Sequence, residues 1–223
     1  ATSIVFGNEI ARVADSVGAH ALTISHALSL DRRIGPRLPI APGLGFSGGT
    51  LARDMRILKN LSNTHRILLP LIHGVLQSNE EQFTIVKQKI REIFGRTQGL
   101  RVASLGLTYK AGTSTLRRSA ALRILDDLAK SGVDIRTYDP HADLGELSKK
   151  LPFSVHENIY DAAKGADVLL LLTEWPEFKK LPFAKIKTLM RQPVIIDAKN
   201  MLDQKLLKRV GFTYAGIGQG TTV

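Results

Sequence analysis

Beyond Gly95 the chain alternates short apolar runs rich in β-branched residues with segments of helical periodicity, and this alternation constrains the fold most strongly. RVASLGL, VDIRTYDP, FSV, ADVLLLL and PVIID read as strands, and SAALRILDDLAKSG, IYDAAKG and FAKIKTLM read as helices. Strands and helices in alternation, joined by short connections, indicate a parallel sheet with helices on both faces. We therefore predict that residues 96–223 form a doubly wound, mostly parallel α/β domain.

The first 95 residues carry helical patterns only. Apolar residues recur at near-helical spacing, Gly18 is a suitable stop signal, and Pro70 is suited to the first turn of a helix. Glycines and prolines interrupt the pattern between Asp31 and Gly49, where a long loop of this kind usually has a function. We predict helices over residues 1–18, 22–28, 50–61 and 70–94.

The longest of these helices, 70–94, carries an apolar stripe that is interrupted at the polar Asn79. The stripe has no evident partner within residues 1–95, and a monomer would expose it as a large apolar patch. We therefore predict an all-helical domain, residues 1–95, that forms a homodimer through this stripe and the preceding helix. Packing against a further domain is the alternative.

Composition excludes several functional classes. The 223 residues hold no cysteine, which removes disulfides, thiolate metal sites and cysteine nucleophiles, and the six histidines show no paired ligand spacing. We predict no metal site. The net charge of +11 could attract nucleic acid, but no helix-turn-helix or basic-aromatic motif accompanies it. We predict no nucleic-acid partner and assign the charge to solvated helix faces.

The chain is expected to be cytoplasmic and to have no membrane partner. Its longest apolar run, Ala166 to Leu172 with Asp167 within it, is far shorter than the roughly 20 residues that a membrane span needs. No basic-then-apolar signal pattern opens the sequence. Ala1 leads directly into an amphipathic run with no capping motif before it, so we expect the chain to begin within a helix.

Two glycine-containing segments are candidate ligand sites. GLGFSGGT, from Gly43 to Thr50, precedes a helix and would let the backbone approach an anion; a flexible connector with a helix cap is the alternative. LTYKAGTSTLRRS, with Lys110 and Arg117, follows the first strand of the predicted sheet, where phosphate-bearing ligands bind. It lacks the three-glycine dinucleotide fingerprint, and an exposed basic loop is the equal alternative.

The segments after two later strands favour structural roles. LLTEWPEFKKLP follows the fourth strand, and its aromatic residues suit a lid that packs over the strand ends. Glu174 in this segment lies near a strand end, where a functional contact is possible. Asp139 and His141 in YDPHAD suit a turn better than a metal site.

In register along the whole chain, eight segments resemble the UDP-glucose 6-dehydrogenase and GDP-mannose dehydrogenase family. They are FGNEIARVADSVGA, LDRRIGPRLPIAPGLGFSGGTLARDMRIL, SNEEQ, ASLGLTYKAGTSTLRRSAAL, TYDPHA, LLLLTEWPEF, IIDAKN and YAGIGQG. The resemblance implies a central helical dimerisation domain followed by a Rossmann-like nucleotide-sugar domain. The family's NAD-binding domain would lie upstream of Ala1.

The resemblance also implies a reaction and its residues. The family oxidises a sugar CH2OH to a carboxylate with NAD, through a thioester on a cysteine, and serves polysaccharide biosynthesis. Thr50 stands at the cysteine position and Asp54 at the catalytic aspartate, and a hydroxyl is a weaker nucleophile than a thiol. For binding, the resemblance implies a UDP-sugar held by Gly43, Gly45, Lys110, Lys199 and Arg33, the last reaching across a dimer, and a cofactor contact by Arg117.

Three functional hypotheses remain open at this stage. The first is the C-terminal part of an NAD-dependent nucleotide-sugar 6-dehydrogenase that does not oxidise its substrate as this chain alone. The second is a non-catalytic module that binds a nucleotide sugar, which Thr50 favours. The third is a structural oligomerisation unit with no ligand.

Overall fold

The computed structural model describes residues 1–147, 149–219 and the backbone of 221–222. The chain divides into two compact units: Ala1–Ile85 with Ile217–Gly220, called here the helical unit, and Val86–Gly216 with Thr221–Val223, called the α/β unit. Of the segments used above, YAGIGQG ends at Gly220, which lies outside the described residues, as does Ser148. None of the helices in the described part of the chain is long and apolar enough to cross a membrane.

The helices of the helical unit begin close to the positions that the periodicity predicts. Its helices are α1 (Thr2–Val17), α2 (Ala21–Leu30), α3 (Thr50–His65) and α4 (Pro70–Gln82). Gly18 ends α1 in the left-handed conformation, with φ of 72°, and its N–H donates to the carbonyl of Ala14. Residues 31–49 form the predicted long loop.

The predicted single helix over 70–94 is wrong, because a turn divides it. Helix α4 ends at Gln82 and α5 (Ile85–Phe94) begins three residues later. At the break, the N–H groups of Phe83 and Thr84 donate three residues back, to Glu80 and Glu81, and the Thr84 hydroxyl also donates to the Glu81 carbonyl. These shorter bonds tighten the last turn and end the α-helical ladder.

The apolar stripe of this segment is also not free, contrary to the prediction. Phe83 is 7% exposed, Val86 and Ile90 are fully buried, and Val75 packs in a cluster with Val5, Phe46 and Met55. Most of the stripe therefore forms core within one chain, and its buried residues are not available as a dimer surface.

The α/β unit has the predicted doubly wound sheet. Its strands are β1 (Arg101–Leu105), β2 (Asp134–Tyr138), β3 (Ser154–Val155), β4 (Val168–Leu171), β5 (Val194–Asp197), β6 (Thr213–Gly216) and β7 (Thr221–Thr222). They lie in the order 3-2-1-4-5-6-7; β1 to β6 are parallel, and β7 is antiparallel to β6. The prediction of a mostly parallel Rossmann-like sheet is confirmed.

Helices cover the sheet in the manner that the alternating pattern predicts. Its helices are α6 (Ala120–Lys130), α7 (Ile159–Ala163), α8 (Phe183–Leu189) and α9 (Gln204–Val210). Buried side chains of α7, α8 and α9 share one apolar cluster with alternate strand residues, among them Leu105, Leu169 and Ile195. The buried side chains of α6 lie outside this cluster. The strand order reverses between β1 and β4, which are parallel, so the loops that follow these two strands lie side by side at one edge, where ligands of such folds bind.

The division between the units lies ten residues before the predicted boundary at 95/96. Nearly all of α5 belongs to the α/β unit, and the Lys87 ammonium lies 3.0 Å from the Asp127 carboxylate of α6. Residues 217–219 belong instead to the helical unit, where Gly218 donates to the Asp15 carboxylate and accepts from the N–H of Ala21. Long-range contacts of this kind leave no periodic signal in a sequence.

Candidate ligand-binding residues

Buried amide side chains hold the glycine loop of the helical unit. Asn79 on α4 accepts from the Phe46 N–H at 2.8 Å and donates to the Phe46 carbonyl at 2.9 Å. Gln82 donates to the carbonyl of Gly43 at 2.7 Å, and Asn8 on α1 accepts from the N–H of Gly43 at 2.9 Å. Asn79, the polar residue that interrupts the apolar stripe, therefore anchors the loop. Its amide forms hydrogen bonds with both the N–H and the carbonyl of the buried Phe46, which have no backbone partners among the described residues.

The two glycines predicted to bind substrate differ in their surroundings. Gly45 has φ of 83°, and a Cβ placed there would lie 2.7 Å from the Asn79 side-chain oxygen. Only glycine fits this position without strain. At Gly43 a Cβ would meet no heavy atom within 4 Å, and its φ lies outside the left-handed region. The structure thus explains Gly45 by the fold of the loop and leaves room beside Gly43.

Thr50 and Asp54, the predicted catalytic residues, occupy the first turns of α3. They are four residues apart, so their side chains share one helix face, and both are exposed. The Asp54 carboxylate lies 3.0 Å from Nε of Arg53. Among the described residues, no basic group forms a hydrogen bond with the Thr50 hydroxyl, so the geometry supplies no activated nucleophile at this position.

Arg33 lies on the long loop, and its guanidinium is 89% exposed. It makes a two-pronged pair with Asp31, at 3.1 Å from Nε and 2.7 Å from Nη2. This pair lowers the pKa of Asp31 and raises the pKa of Arg33. The predicted contact of Arg33 across a dimer stays a prediction.

Lys110 lies in the loop that follows β1, at the carboxyl edge of the sheet. The N–H of Tyr109 donates to the Thr115 carbonyl at 3.0 Å and closes the loop, which turns through the left-handed Gly112. Lys110 is exposed, and its ammonium makes no ion pair with any described residue. It is therefore available to an anion from solution.

Arg117 follows in the same loop, beside a carboxylate that the sequence analysis missed. Glu146 accepts from the Thr115 hydroxyl and from the Leu116 N–H, both at 2.8 Å, and the Leu116 bond is the main reason for its lowered pKa. Glu146 thus brings a carboxylate to the loop that holds Arg117. The cofactor contact of Arg117 itself stays a prediction.

Lys199 lies in a tight turn after β5 that Asp197 organises. One carboxylate oxygen of Asp197 accepts from the Lys199 N–H, and the other accepts from the N–H groups of Met201 and Leu202 and from the Tyr214 hydroxyl. Burial raises the pKa of Asp197, and these bonds oppose that rise. The turn directs the Lys199 ammonium to Glu174, 2.8 Å away.

The α/β unit has the strand order of a dinucleotide-binding fold, but its crevice does not fit NAD. A Cβ on Gly106 would collide with the Thr173 side chain, so the loops after β1 and β4 are in direct contact. Asp139 accepts from the N–H groups of Leu107 and Thr108, which would otherwise face a pyrophosphate, and the Trp175 indole N–H donates to the Thr108 hydroxyl at 3.1 Å. These bonds engage the backbone N–H groups that follow β1, so the N–H groups of Leu107 and Thr108 are not free to bind a pyrophosphate.

The side chains of Asp139 and His141 make contacts within the fold, in keeping with the turn that was predicted. Asp139 is engaged by backbone N–H groups, and the His141 ring lies 4.4 Å from the Trp175 ring. Within residues 1–147 and 149–219, no cluster of three His, Asp or Glu side chains could hold a metal ion.

The structure thus groups the predicted residues by unit. Gly43 and Gly45 share one anchored loop of the helical unit, with Thr50 and Asp54 on the helix that follows it. The supporting residues Asn8, Asn79, Gln82, Asp197 and Glu174 were not among the predicted site residues. Two signals in the sequence pointed towards them: polar residues inside apolar periodic segments, such as Asn79, and the position of Glu174 near a strand end.

Two domain models of one family match nearly the whole chain. The central domain of the UDP-glucose/GDP-mannose dehydrogenase family matches residues 1–81, and the UDP binding domain of the same family matches residues 103–204. The chain belongs to the UDP-glucose/GDP-mannose dehydrogenase family. The family residues anticipated from the sequence motifs lie inside these two matched segments.

Curated relatives agree with this family assignment. A UDP-glucose 6-dehydrogenase of Rickettsia prowazekii is 35% identical over 225 residues, covering 98% of this chain and 51% of that protein. The UDP-glucose 6-dehydrogenase TuaD of Bacillus subtilis is 34% identical over 221 residues, covering 98% of this chain and 48% of that protein. The chain therefore spans about half the length of these family members.

Solved structures of similar proteins share the fold. A UDP-D-ManNAc dehydrogenase from Pyrococcus horikoshii superposes with a TM-score of 0.81 at 26% identity, over 98% of this chain and 49% of that one. A UDP-glucose dehydrogenase from Pyrobaculum islandicum gives a TM-score of 0.80 at 23% identity, over 97% and 48% of the two chains, and supports the fold alone.

Proposed function

We propose that this chain binds a UDP-sugar and is the nucleotide-sugar-binding part of a UDP-sugar 6-dehydrogenase. The observation that carries the proposal is the placement of Lys110 and Lys199 on two loops at the carboxyl edge of the sheet, inside the segment that matches a UDP binding domain. A diphosphate is an anion that lysine ammonium groups bind through charge-assisted hydrogen bonds. The glycine loop at Gly43 and Gly45 and the exposed Arg33 are the proposed contacts from the helical unit.

The proposed reaction of the assembled enzyme is the oxidation of the sugar CH2OH to a carboxylate, with NAD as oxidant, in the cytoplasm and for polysaccharide biosynthesis. Because the crevice of the α/β unit does not fit NAD, hydride transfer requires a cofactor site formed elsewhere. The chain by itself is therefore inactive in this proposal, and a contact of Arg117 with the cofactor arises only when that site is supplied.

A second candidate is a non-catalytic module that binds the nucleotide sugar without oxidising it. Thr50 favours this function, because its hydroxyl stands where the family uses a cysteine and has no described base beside it. A threonine alkoxide is scarcely populated at neutral pH, whereas a thiol is a few per cent ionised. Asp54 is present in both candidates and does not separate them.

Thermal unfolding with and without UDP-glucose tests the binding proposal. We expect the ligand to raise the Tm, because binding to the folded state alone stabilises it. The Lys110→Ala and Arg33→Ala variants should each show a smaller rise, whereas Thr50→Ala should match the parent. Calorimetry with UDP-glucose, UDP-N-acetyl sugars and GDP-mannose then identifies the ligand. No binding at about millimolar ligand, near −4 kcal/mol, would leave only a structural role.

An absorbance assay for NADH separates the two candidates. The chain is incubated with NAD and UDP-glucose, alone and then with a separately expressed N-terminal half of a relative. We expect no NADH from the chain alone. Substrate-dependent NADH in the mixture supports the enzyme, and its absence, together with retained UDP-glucose binding, supports the non-catalytic module.

We also propose a homodimer, through the helix that precedes the stripe and not through the stripe itself. Large apolar side chains remain exposed on α3 and on the turn that follows it, at Ile57, Leu58, Leu61, Ile67 and Leu68. A second copy of the chain would remove these side chains from water. Sedimentation at roughly tens of micromolar should show a dimer, and Leu61→Glu should yield a monomer that remains folded.

A further inference from the structure

Glu174 stands between the two lysine-bearing loops of the α/β unit. Its Oε2 lies 2.8 Å from the Lys199 ammonium on the loop after β5. Glu174 follows β4, which lies between β1 and β5 in the sheet. The segment that carries Glu174 therefore lies between the two loops on which the binding proposal rests.

The backbone that carries Glu174 is held on both sides. Thr173, which is fully buried, donates its hydroxyl to the Thr108 carbonyl at 3.1 Å, and the buried Trp175 donates its indole N–H to the Thr108 hydroxyl at 3.1 Å. Glu174 therefore projects from a rigid support, whereas Lys199 reaches it through a long and flexible side chain.

The Glu174 carboxylate is ionised in the folded chain. Its side chain is 41% exposed, and partial burial by itself would raise the pKa of Glu174. The charge of the Lys199 ammonium, 2.8 Å away, outweighs that effect and lowers the pKa of Glu174. The pair is therefore an ammonium and a carboxylate at neutral pH.

We propose that Glu174 is a positioning residue for the nucleoside diphosphate of the ligand: it holds the Lys199 ammonium beside the Lys110 loop before the ligand arrives. The inference rests on the proposed function. An ammonium has three donors, so Lys199 can keep its contact with Glu174 and still donate to a phosphate oxygen. Ordering the lysine in advance lowers the entropy that binding would otherwise cost.

Whether Glu174→Gln tightens or weakens ligand binding distinguishes positioning from simple repulsion. A carboxylate near a diphosphate repels it, so if charge alone mattered, Glu174→Gln would tighten binding. If Glu174 positions Lys199, the same substitution releases the ammonium and weakens binding. Glu177→Gln is the matched control, because it removes the same charge three residues away, where Glu177 pairs with His141 at 3.2 Å.

Calorimetry with UDP-glucose on the full chain makes the test. We expect Glu174→Gln to raise the Kd at least about threefold and Glu177→Gln to leave it unchanged. The double variant Glu174→Gln/Lys199→Gln should bind as Lys199→Gln does, because Glu174 acts through that lysine. An equal or lower Kd for Glu174→Gln, or additive effects in the double variant, would overturn the inference while the binding proposal stands.

A second measurement needs no ligand, so it tests the inference even if the parent chain binds no UDP-glucose and the proposed function fails. Acylation of lysines by an amine-reactive reagent is followed residue by residue by mass spectrometry. In the parent, Lys199 should react more slowly than the unpaired Lys110, and in Glu174→Gln its rate should rise towards that of Lys110. An unchanged Lys199 rate overturns the inference independently of any ligand.

Discussion

The two units of this chain bury their apolar side chains to very different extents. Of the thirteen large apolar side chains that the structure leaves exposed among its described residues, eleven lie between Phe6 and Leu71 in the helical unit. The other two, Leu144 and Leu206, lie in the α/β unit, where the residues of β4 and β5 are all buried. The difference indicates that the α/β unit is covered by its own helices, whereas the helical unit leaves large apolar side chains exposed.

The units also differ in the chemistry that holds their loops. Neutral amides of Asn8, Asn79 and Gln82 support the glycine loop of the helical unit. Carboxylates support the loops at the sheet edge, with Asp139 after β2 and Asp197 at the end of β5. A carboxylate brings negative charge close to lysines that are proposed to bind an anion, so binding at this edge depends on how each charge is paired.

The largest expected change in stability comes from introducing a glutamate into each unit, at Val86 in the α/β unit and at Leu61 in the helical unit. Val86→Glu should lower the free energy of unfolding by roughly 3–5 kcal/mol, because Val86 is fully buried and an unpaired carboxylate there loses its hydration. Leu61→Glu should change it little, because Leu61 is 50% exposed. Urea unfolding followed by circular dichroism measures both variants. A stable Val86→Glu that only lost self-association would restore the predicted stripe as the dimer surface.

The next effect tests the amide support of the helical unit. Asn79→Ala should cost roughly 2–4 kcal/mol, because it leaves the N–H and carbonyl of the buried Phe46 without partners. Gln77→Ala, which removes an exposed amide from the same helix, is the control. Hydrogen exchange should show faster exchange in residues 43–46 with β1 and β4 unchanged. Faster exchange throughout the sheet would mean that the anchor is not local.

A smaller effect separates structure from binding in the glycine loop. Gly45→Ala should cost about 1–3 kcal/mol, because it combines a left-handed conformation with a Cβ against Asn79. Gly43→Ala should stay within about 0.5 kcal/mol, since the space beside Gly43 is open. If the loop contacts the ligand, Gly43→Ala weakens UDP-glucose binding in calorimetry without a change in Tm. Unchanged affinity would remove Gly43 from the proposed site.

The smallest effect is the pH dependence of the Glu174 and Lys199 pair. Because the pKa of Glu174 is lowered below 4.5 in the folded chain, the pair stabilises the fold above this pH, and the contribution disappears as the pH falls through the folded pKa. The stability difference between the parent and Glu174→Gln should therefore shrink from neutral to acidic pH, by less than about 1 kcal/mol for so exposed a pair. Chemical unfolding across that range measures it. A difference that grew towards low pH would contradict the pairing.

Local patterns predicted much of the fold, and they failed where a long-range contact decided the outcome. The stop at Gly18, the helix start at Pro70 and the alternation after Gly95 were all correct, because each depends on neighbouring residues. The continuous helix over 70–94 was wrong, since its periodicity continues through the turn at Phe83 and Thr84.

For the candidate site, the sequence by itself determined which residue types are present: two lysines on loops after parallel strands, a glycine loop before a helix, and a threonine in place of a cysteine. Only the tertiary structure decided how they are supported. Asn79 forms hydrogen bonds with Phe46, which lies 33 residues away in the sequence. Lys199 pairs with Glu174, and the two residues follow strands that are neighbours in the sheet. Periodicity reports which face of an element is apolar, whereas the partner of a polar side chain depends on how the elements pack, and the units differ most in those partners.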